Sequence, residues 1–480
     1  MLIKVKVSCK KPKKIFRFEK TFLDKAEVSD RTIGVSEAFG LSVGVENPNT
    51  IYKDLLIDIK PGDVIYITGD SGTGKSTLLS DITSALKESG SFGKVIQDKE
   101  VEVNQDSVLV EALGSDLEQA IKYLSLAGLN EATLFIRRYR DLSEGQKYRF
   151  KIAKMMSIGA NTLVFDEFCS LLDRETAKIV AYCVQKVARN LGATLLVATS
   201  HRDLLEDLQP NIYIVKGFGE AVEVKYIEDV KSRPCSILKE IVVKEGSIRD
   251  LETLKRYHYR DGKLCNIKKV FKAELRGETV GVIVYSTPTY SNAGRTKYFG
   301  RHVDVEHLNR DFITISRVVI HPKYRGVGLA VRLVKETLPK VGYKYVEALA
   351  VMAKYNPFFK KAGMQEVEYT STLSLKSRET LQHLTKYDID PRLAAAKQYI
   401  TQKLEKLKPN QIESLIETLL NSDTTRYTLN ILIKKRRLSL EETKQTLKNI
   451  QTLAKIIQKM AILAQNKRYY IWQRNNNTEE

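Results

Sequence analysis

One eight-residue run, Gly69-Asp70-Ser71-Gly72-Thr73-Gly74-Lys75-Ser76, constrains this chain more than any other stretch. It matches GxxxxGK[ST], and its surroundings give the match meaning. The preceding IYKDLLIDIKPGDVIYITGD alternates and then turns continuously apolar, as a buried strand does, and helical spacing follows Lys75. A strand, a glycine turn and a helix in that order offer backbone N–H groups at a helix N-terminus, which is a cradle for phosphate. Lys75 would reach the β and γ phosphates and the Ser76 hydroxyl would ligate Mg²⁺, with Gly69, Ser71, Gly72, Gly74 and Thr77 completing the nucleotide loop. From there to about residue 230, the apolar runs TLVF (162–165), ATLLVATS (193–200) and IYIV (212–215) alternate with helical patterns, the mark of a mostly parallel α/β sheet.

The segment Leu142-Ser143-Glu144-Gly145-Gln146 is followed twenty residues later by TLVFDE, then by SLLD at 170–173, and an isolated His201 follows the next strand. Adjacent carboxylates at a strand end beside a phosphate loop, Asp166 and Glu167, suit metal binding plus water activation. The ordered set resembles the ATP-binding-cassette (ABC) ATPases. That resemblance implies ATP as the nucleotide, Asp166 holding Mg²⁺ through water, Glu167 polarising the attacking water, Asp173 in the D-loop and His201 sensing the γ-phosphate. It also implies that Ser143, Gly145 and Gln146 belong to a signature capping the nucleotide of the opposite subunit. Only one such cassette is present, so a homodimer with two composite sites is expected, or else a partner cassette on another chain. Gln97 has the Q-loop spacing and would join Ser76 and Asp166 at the metal, with Gln105 as the alternative. Phe39 is a candidate adenine-stacking aromatic, with an ordinary core position as the competing role. The 67 residues from Lys75 to Leu142 are few for the helical subdomain that grips a transporter's membrane partner, which directs expectation to the soluble branch of that family.

A second glycine turn lies in ISRVVIHPKYRGVGLAVRLV at 315–334, where Arg325-Gly326-Val327-Gly328-Leu329-Ala330 follows a strand and opens a helix. The physics is that of the first site in miniature, amides at a helix start facing a pyrophosphate. The run, with NPFFKKAGM downstream, resembles the core motif of GCN5-related N-acetyltransferases (GNATs). The resemblance implies acetyl-CoA as cofactor, with Val319, Arg325, Gly326, Gly328, Ala330 and Asn356 around it. Where many members carry a tyrosine to protonate the leaving thiolate, this chain has Phe359; Tyr355, Tyr369 or water is then the general acid. Glu347 is a candidate base or a plain surface carboxylate, and Ser316 and Arg317 are candidates for the acceptor pocket or for a structural role. Tyr257-His258-Tyr259-Arg260 with Arg295 and Arg301 is a possible base-stacking and phosphate clamp, set against an ordinary loop.

The expected fold class is therefore α/β: an ABC-type P-loop ATPase domain, a GNAT-like α/β acyltransferase domain and a helical C-terminal region. The expected boundaries are 1–30 for a basic N-terminal segment, 31–235 for the ATPase, 236–380 for the transferase and 381–480 for basic helices running to about residue 471. An ABC ATPase joined to an acetyltransferase-like domain resembles an archaeal and viral fusion family, and the transferase half alone resembles, more weakly, the Mom-type phage enzymes that acylate adenine in DNA.

Charge adds a partner. Lys and Arg number 78 against 58 acids, a net +20. The first 20 residues hold eight basic side chains against one Glu, and Lys434-Lys435-Arg436-Arg437 forms a second cluster. DNA or RNA is the expected polyanion, a solvated helix face being the alternative for the second cluster. No apolar run reaches the ~18–20 residues of a membrane span and no secretory signal is evident, so a cytoplasmic chain is expected. Five scattered cysteines without a CxxC pair suggest reduced thiols and no zinc. ATPase activity and N-acetyl transfer are the expected activities. The alternatives are a remodelling ATPase with a non-catalytic GNAT-like domain and a nucleotide-regulated protein acetyltransferase.

Overall fold

The structure is a computed structural model and describes residues 15–24, 27–43, 47–129, 131–228, 230, 232–257, 264, 266–351, 356–369, 371–422, 424–425, 427–429, 439–465 and 467–474. The basic run 1–14, residues 258–260, Tyr355, the 434–437 cluster and the NNNTEE end lie outside them. The chain divides into two compact units, one comprising 1–263, 270–284 and 317–336, the other 264–269, 285–316 and 337–480.

In the first unit, β1 (Ile15–Asp24) and β2 (Asn47–Asp58) pair antiparallel. Strands β3 (Val64–Thr68), β4 (Val95–Gln97), β5 (Thr162–Phe165), β6 (Thr194–Thr199), β7 (Ile212–Lys216) and β8 (Val222–Tyr226) form one sheet of order β4–β5–β6–β3–β7–β8, parallel except for β8. Every residue of β3 is buried, which explains its unbroken VIYIT run. Leu78, Leu79, Ile82 and Leu86 of the helix Lys75–Glu88 pack with Ile65, Ile67, Val164 and Leu196. Each such side chain contributes about 1.5–3 kcal/mol by burial. Phe18 of β1 joins the same cluster, so a strand of this fold begins ahead of residue 31. Two of the N-terminal cations are paired there, Arg17 with Asp54 and Lys20 with Asp81.

The first unit also holds β9 (Ile241–Glu245), most of β10 (Ile267–Leu275) and of β11 (Glu278–Ser286), and the end of β12 (Phe312–Ile320), in the order β12–β11–β10–β9. Arg276 and Gly277 join β10 to β11 with positive φ at both positions, the two-residue turn that the twist of a hairpin favours.

In the second unit, the start of β12 runs parallel to β13 (Tyr345–Ala350), and β15 (Arg468–Gln473) lies between β13 and β14 (Gln365–Val367), antiparallel to both. Helices Thr372–Gln382, Lys397–Glu405, Pro409–Leu420, Leu440–Leu447 and Ile450–Leu463 occupy the chain between β14 and β15. They share a core of Leu404, Leu415, Leu419, Leu453 and Ile457. The helical pattern was expected to continue to about residue 471, and β15 corrects this. The run RYYIWQ buries Tyr469, Tyr470 and Ile471, and pairing on both edges decides its state, which a short apolar run alone does not.

Candidate nucleotide site and the second glycine turn

The first glycine turn leaves β3 beside β7, and the approach is too close for a side chain. A Cβ on Gly69 would fall 2.0 Å from the Lys216 carbonyl oxygen. Gly72 and Gly74 follow, and Lys75 opens the helix. The Lys75 Nζ donates to the Asp70 carbonyl at 2.7 Å, folded over its own loop, and burial pushes its pKa down from the ordinary lysine value. The Ser76 Oγ donates to Asp166 Oδ1 at 2.9 Å. Ser76, Gln97, Asp98 and Asp166 line one cleft with Ser80 and Lys99. Gln97 thus shares the cleft of the other two expected metal ligands; Gln105 is not among its lining residues, its carbonyl instead accepting from the Arg140 N–H. Hydroxyl, carboxylate and amide oxygens in one cleft are a donor set suited to Mg²⁺. Asp98 was not singled out in the sequence. Burial pushes its pKa up, and its place next to Gln97 was the signal available.

Glu167 is exposed and sits at φ 47°, a left-handed conformation that costs a non-glycine residue on the order of 1–3 kcal/mol. Its N–H donates to Asp166 Oδ1 at 3.0 Å. The segment beyond it is tightly wound, with Ser170 N–H on the Glu167 carbonyl at 3.1 Å and Leu172 N–H on the Cys169 carbonyl at 3.2 Å. His201 follows β6; its carbonyl accepts from the Tyr66 and Thr68 hydroxyls, and its N–H reaches Thr199 Oγ1 at 3.3 Å. Ser143 caps the helix Glu144–Ser157, accepting from the Gln146 N–H while the Gln146 side chain accepts from the Ser143 N–H. Gly145 packs against Thr176, where an added Cβ would come within 3.2 Å. Phe39 ends the helix Asp30–Phe39 and is 75% exposed, which corrects the core alternative. Ser71 and Gly72 are exposed in the loop, and Thr77 is half-buried.

A family model described as "ABC transporter" matches residues 52–170. The chain carries an ABC transporter ATPase domain. The methionine import ATP-binding protein MetN of Clostridioides difficile is 27% identical over 275 residues, covering 50% of this chain and 81% of that protein. MetN of Clostridium tetani is 28% identical over 235 residues, covering 41% and 70%. Among solved structures, MJ0796, a bacterial ABC transporter cassette in dimeric form, aligns with TM-score 0.30 and 19% identity over 37% of this chain and 91% of its own. The cbiO1 protein of Clostridium perfringens aligns with TM-score 0.30 and 22% identity over 36% and 81%. No helix among the described residues is long and apolar enough to cross a membrane, and none of their His, Cys, Asp and Glu groups forms a cluster of three suited to a metal. Cys169, Cys183 and Cys235 are buried free thiols.

Asp173, the residue expected in a D-loop, caps the helix Arg174–Leu191 through the Thr176 N–H at 3.1 Å and the Thr176 hydroxyl at 2.5 Å. Its Oδ1 also accepts from Lys323 Nζ at 2.9 Å. Burial alone would raise the Asp173 pKa, but the Lys323 ammonium and the Thr176 donors outweigh it and hold the carboxyl at about 2. A folded-state value below the unfolded one means that the contact is fully present above the ordinary aspartate range near 3.9 and is lost as pH falls through about 2. In a carboxyl ¹³C titration, the Asp173 resonance is expected to stay flat as pH falls past that ordinary range. A midpoint at the ordinary value would contradict the pairing.

The second glycine turn follows β12. Val319 is buried on that strand, Gly326 and Gly328 have positive φ, and Ala330 lies in the first turn of the helix Leu329–Thr337. Arg325 differs from expectation as a cofactor contact. Its guanidinium donates to the carbonyls of Ile320 (2.9 Å) and Tyr257 (3.1 Å) and to Glu131 Oε2 (3.1 Å), so its side chain is committed to the protein. Tyr257 is correspondingly a carbonyl acceptor, its ring edge-on to His321 at 4.8 Å.

In the second unit, Glu347 and Arg295 are each 2% exposed and form a bidentate pair at 2.9 and 3.1 Å. Thr314 and Tyr469 donate to the same carboxylate at 2.7 and 2.9 Å, and Arg295 donates to the carbonyls of Thr289 and Tyr290. Glu347 is therefore neither a surface carboxylate nor a free base, and Arg295 is not an open phosphate clamp. Pairing across 52 residues is invisible in the sequence. Ser316 Oγ lies 2.8 Å from Ser286 Oγ, and Arg301 is exposed. Asn356 is exposed; Phe359 is buried, its ring 5.5 Å from that of Tyr470. Tyr369 stands edge-on to Tyr469.

Proposed function

We propose that this chain is an ATP-hydrolysing ABC dimer that gates an acetyl-CoA-dependent acyltransferase acting on DNA, RNA or a bound protein. The observation that carries the transferase half is the turn Arg325–Gly328. It leaves the carboxyl end of β12 and opens the nine-residue helix Leu329–Thr337, where ligands of α/β sheets bind and where amides meet phosphate. Arg325 anchors this turn by its side chain, which leaves the anion to the backbone. Two composite sites between cassettes would hold ATP, with Lys75 on its phosphates, Ser76, Gln97 and Asp166 toward Mg²⁺, His201 toward the γ-phosphate and Ser143, Gly145 and Gln146 reaching across. Phe39, exposed, is free to stack on adenine. Glu167 would take a proton from the attacking water as the γ-phosphate bond to the leaving ADP breaks. Acetyl-CoA would supply the acyl group: an acceptor nitrogen would bond to the acetyl carbon as the C–S bond breaks, its proton passing to water, and Tyr355 would give a proton to the leaving thiolate and regain one from solvent. ATP favours the closed dimer by its contacts to both halves, and hydrolysis reopens it. The net +20 charge supports a polyanionic partner.

A second reading has one favouring observation, the likeness to MetN over half of the chain. On that reading the cassette serves an import system and the second region regulates it.

Equilibrium binding of acetyl-CoA separates the two. Gly328 has φ 97° with open space around a would-be Cβ, so Gly328→Glu strains the turn and adds an anion without a clash at Cβ. The wild-type chain is expected to bind acetyl-CoA, and Gly328→Glu is expected to bind it at least about tenfold more weakly, the equivalent of 1.4 kcal/mol. Equal binding by both, or none by the wild type, would remove acetyl-CoA from the turn.

A further inference from the structure

The segment 321–328 is joined to the ABC domain at several independent points within one compact unit. Lys323 Nζ lies 2.9 Å from Asp173 Oδ1 and 2.8 Å from Glu175 Oε2. The Tyr324 hydroxyl donates to the same Glu175 oxygen at 2.9 Å, and Arg276 holds the other at 3.0 Å. Arg149, on the helix that Ser143 caps, reaches the Lys323 carbonyl at 3.3 Å. Arg325 pairs with Glu131, and Gly326 lies where an added Cβ would come within 3.0 Å of Cys183 Sγ.

These contacts fall at the end of a strained segment. Glu167 and Cys169 both have positive φ, and such conformations persist only where the surroundings over-determine them. Near one end, the Phe168 N–H is fixed to the Ala198 carbonyl of β6 at 2.8 Å. At the other, Asp173 is held by its own helix and by Lys323, while Leu171 between them is 87% exposed. The Asp173 side chain is itself more than half exposed, and an ion pair of that kind adds little stability. What Lys323 supplies is placement of a carboxylate six residues from the group that activates water.

We propose that Lys323 is a positioning residue for ATP hydrolysis: by holding Asp173 it fixes the far end of the Glu167–Asp173 segment, and a ligand on the Arg325–Gly328 turn alters ATP turnover through the same contact. The second half rests on the acyl-CoA reading of the turn; the first does not. Coupling of this kind is carried by adjoining packed and hydrogen-bonded groups.

Phosphate release by the full chain tests both halves. Lys323→Gln is expected to lower kcat by about 3- to 30-fold with KM for ATP unchanged, Lys323→Arg to restore most of it, and Tyr324→Phe to give a smaller loss. A purely structural role would lower the melting temperature without this split or this rescue. An unchanged kcat in Lys323→Gln, or a Lys323→Arg variant as slow as the glutamine one, overturns the positioning role. Saturating acetyl-CoA is expected to change kcat in the wild type and not in Lys323→Gln; an equal change in both overturns the coupling. Failure of acetyl-CoA to bind, with the Lys323 effect intact, counts against the acyl-CoA reading alone and upholds the positioning role.

Discussion

Glu167→Gln is expected to slow ATP hydrolysis by about 10²–10⁴-fold, the range that loss of a general base produces, without weakening ATP binding. The amide keeps the shape of the side chain, and the hydrogen bonds of Lys75 to the Asp70 carbonyl, of Ser76 to Asp166 and of the Glu167 N–H to Asp166 do not use the Glu167 carboxylate, so Lys75, Ser76 and Asp166 are expected to keep their places. With hydrolysis blocked, the ATP-bound state accumulates, and the chain is expected to elute with ATP as a dimer holding two nucleotides. Phosphate release and light scattering on the same sample check both parts. A variant that retains most of its turnover would take the water-activating role away from Glu167. A slow variant that binds ATP as a monomer would remove the composite sites and keep the role.

Arg295→Met carries the largest expected loss of stability. Glu347 and Arg295 lie together at 2% exposure, and removing Arg295 leaves the carboxylate buried without its counter-charge, at a cost of about 3–5 kcal/mol. The carbonyls of Thr289 and Tyr290 lose their donor in the same step. Arg295→Met with Glu347→Leu should recover most of the loss, since the pair is replaced rather than broken. Limited proteolysis in a urea series, followed at the second unit, measures this. Wild-type resistance in Arg295→Met would show that the pair is not needed to hold β12, β13 and β15 together.

What the sequence made legible is chemistry set by local geometry. The first glycine turn could be placed because an anion cradle requires a strand, glycines and a helix start in immediate succession, and Asp166 and Glu167 because they end a buried strand. The same locality found the second turn after β12. Contacts between segments distant in the chain left no such trace. Lys323 and Asp173 are 150 residues apart, and nothing near either names the other. Arg295 was open between a phosphate clamp and an ordinary loop residue and Glu347 between a base and a plain surface carboxylate, and burial of the two as a pair replaces every one of those readings. β15 was hidden by the helices before it, whose Leu and Ile spacing merges with a short aromatic run that becomes a strand only between β13 and β14.

On the proposed function, one chain joins ATP turnover to acyl transfer. Purified protein incubated with ATP, radiolabelled acetyl-CoA and separate pools of transfer RNA, duplex DNA and cell protein tests it most directly, with Gly328→Glu as the control. ATP-dependent label in one pool, lost in Gly328→Glu and altered in Glu167→Gln, is the expected result. ATP hydrolysis with no label in any pool would contradict it and leave a cassette whose second region binds without transferring.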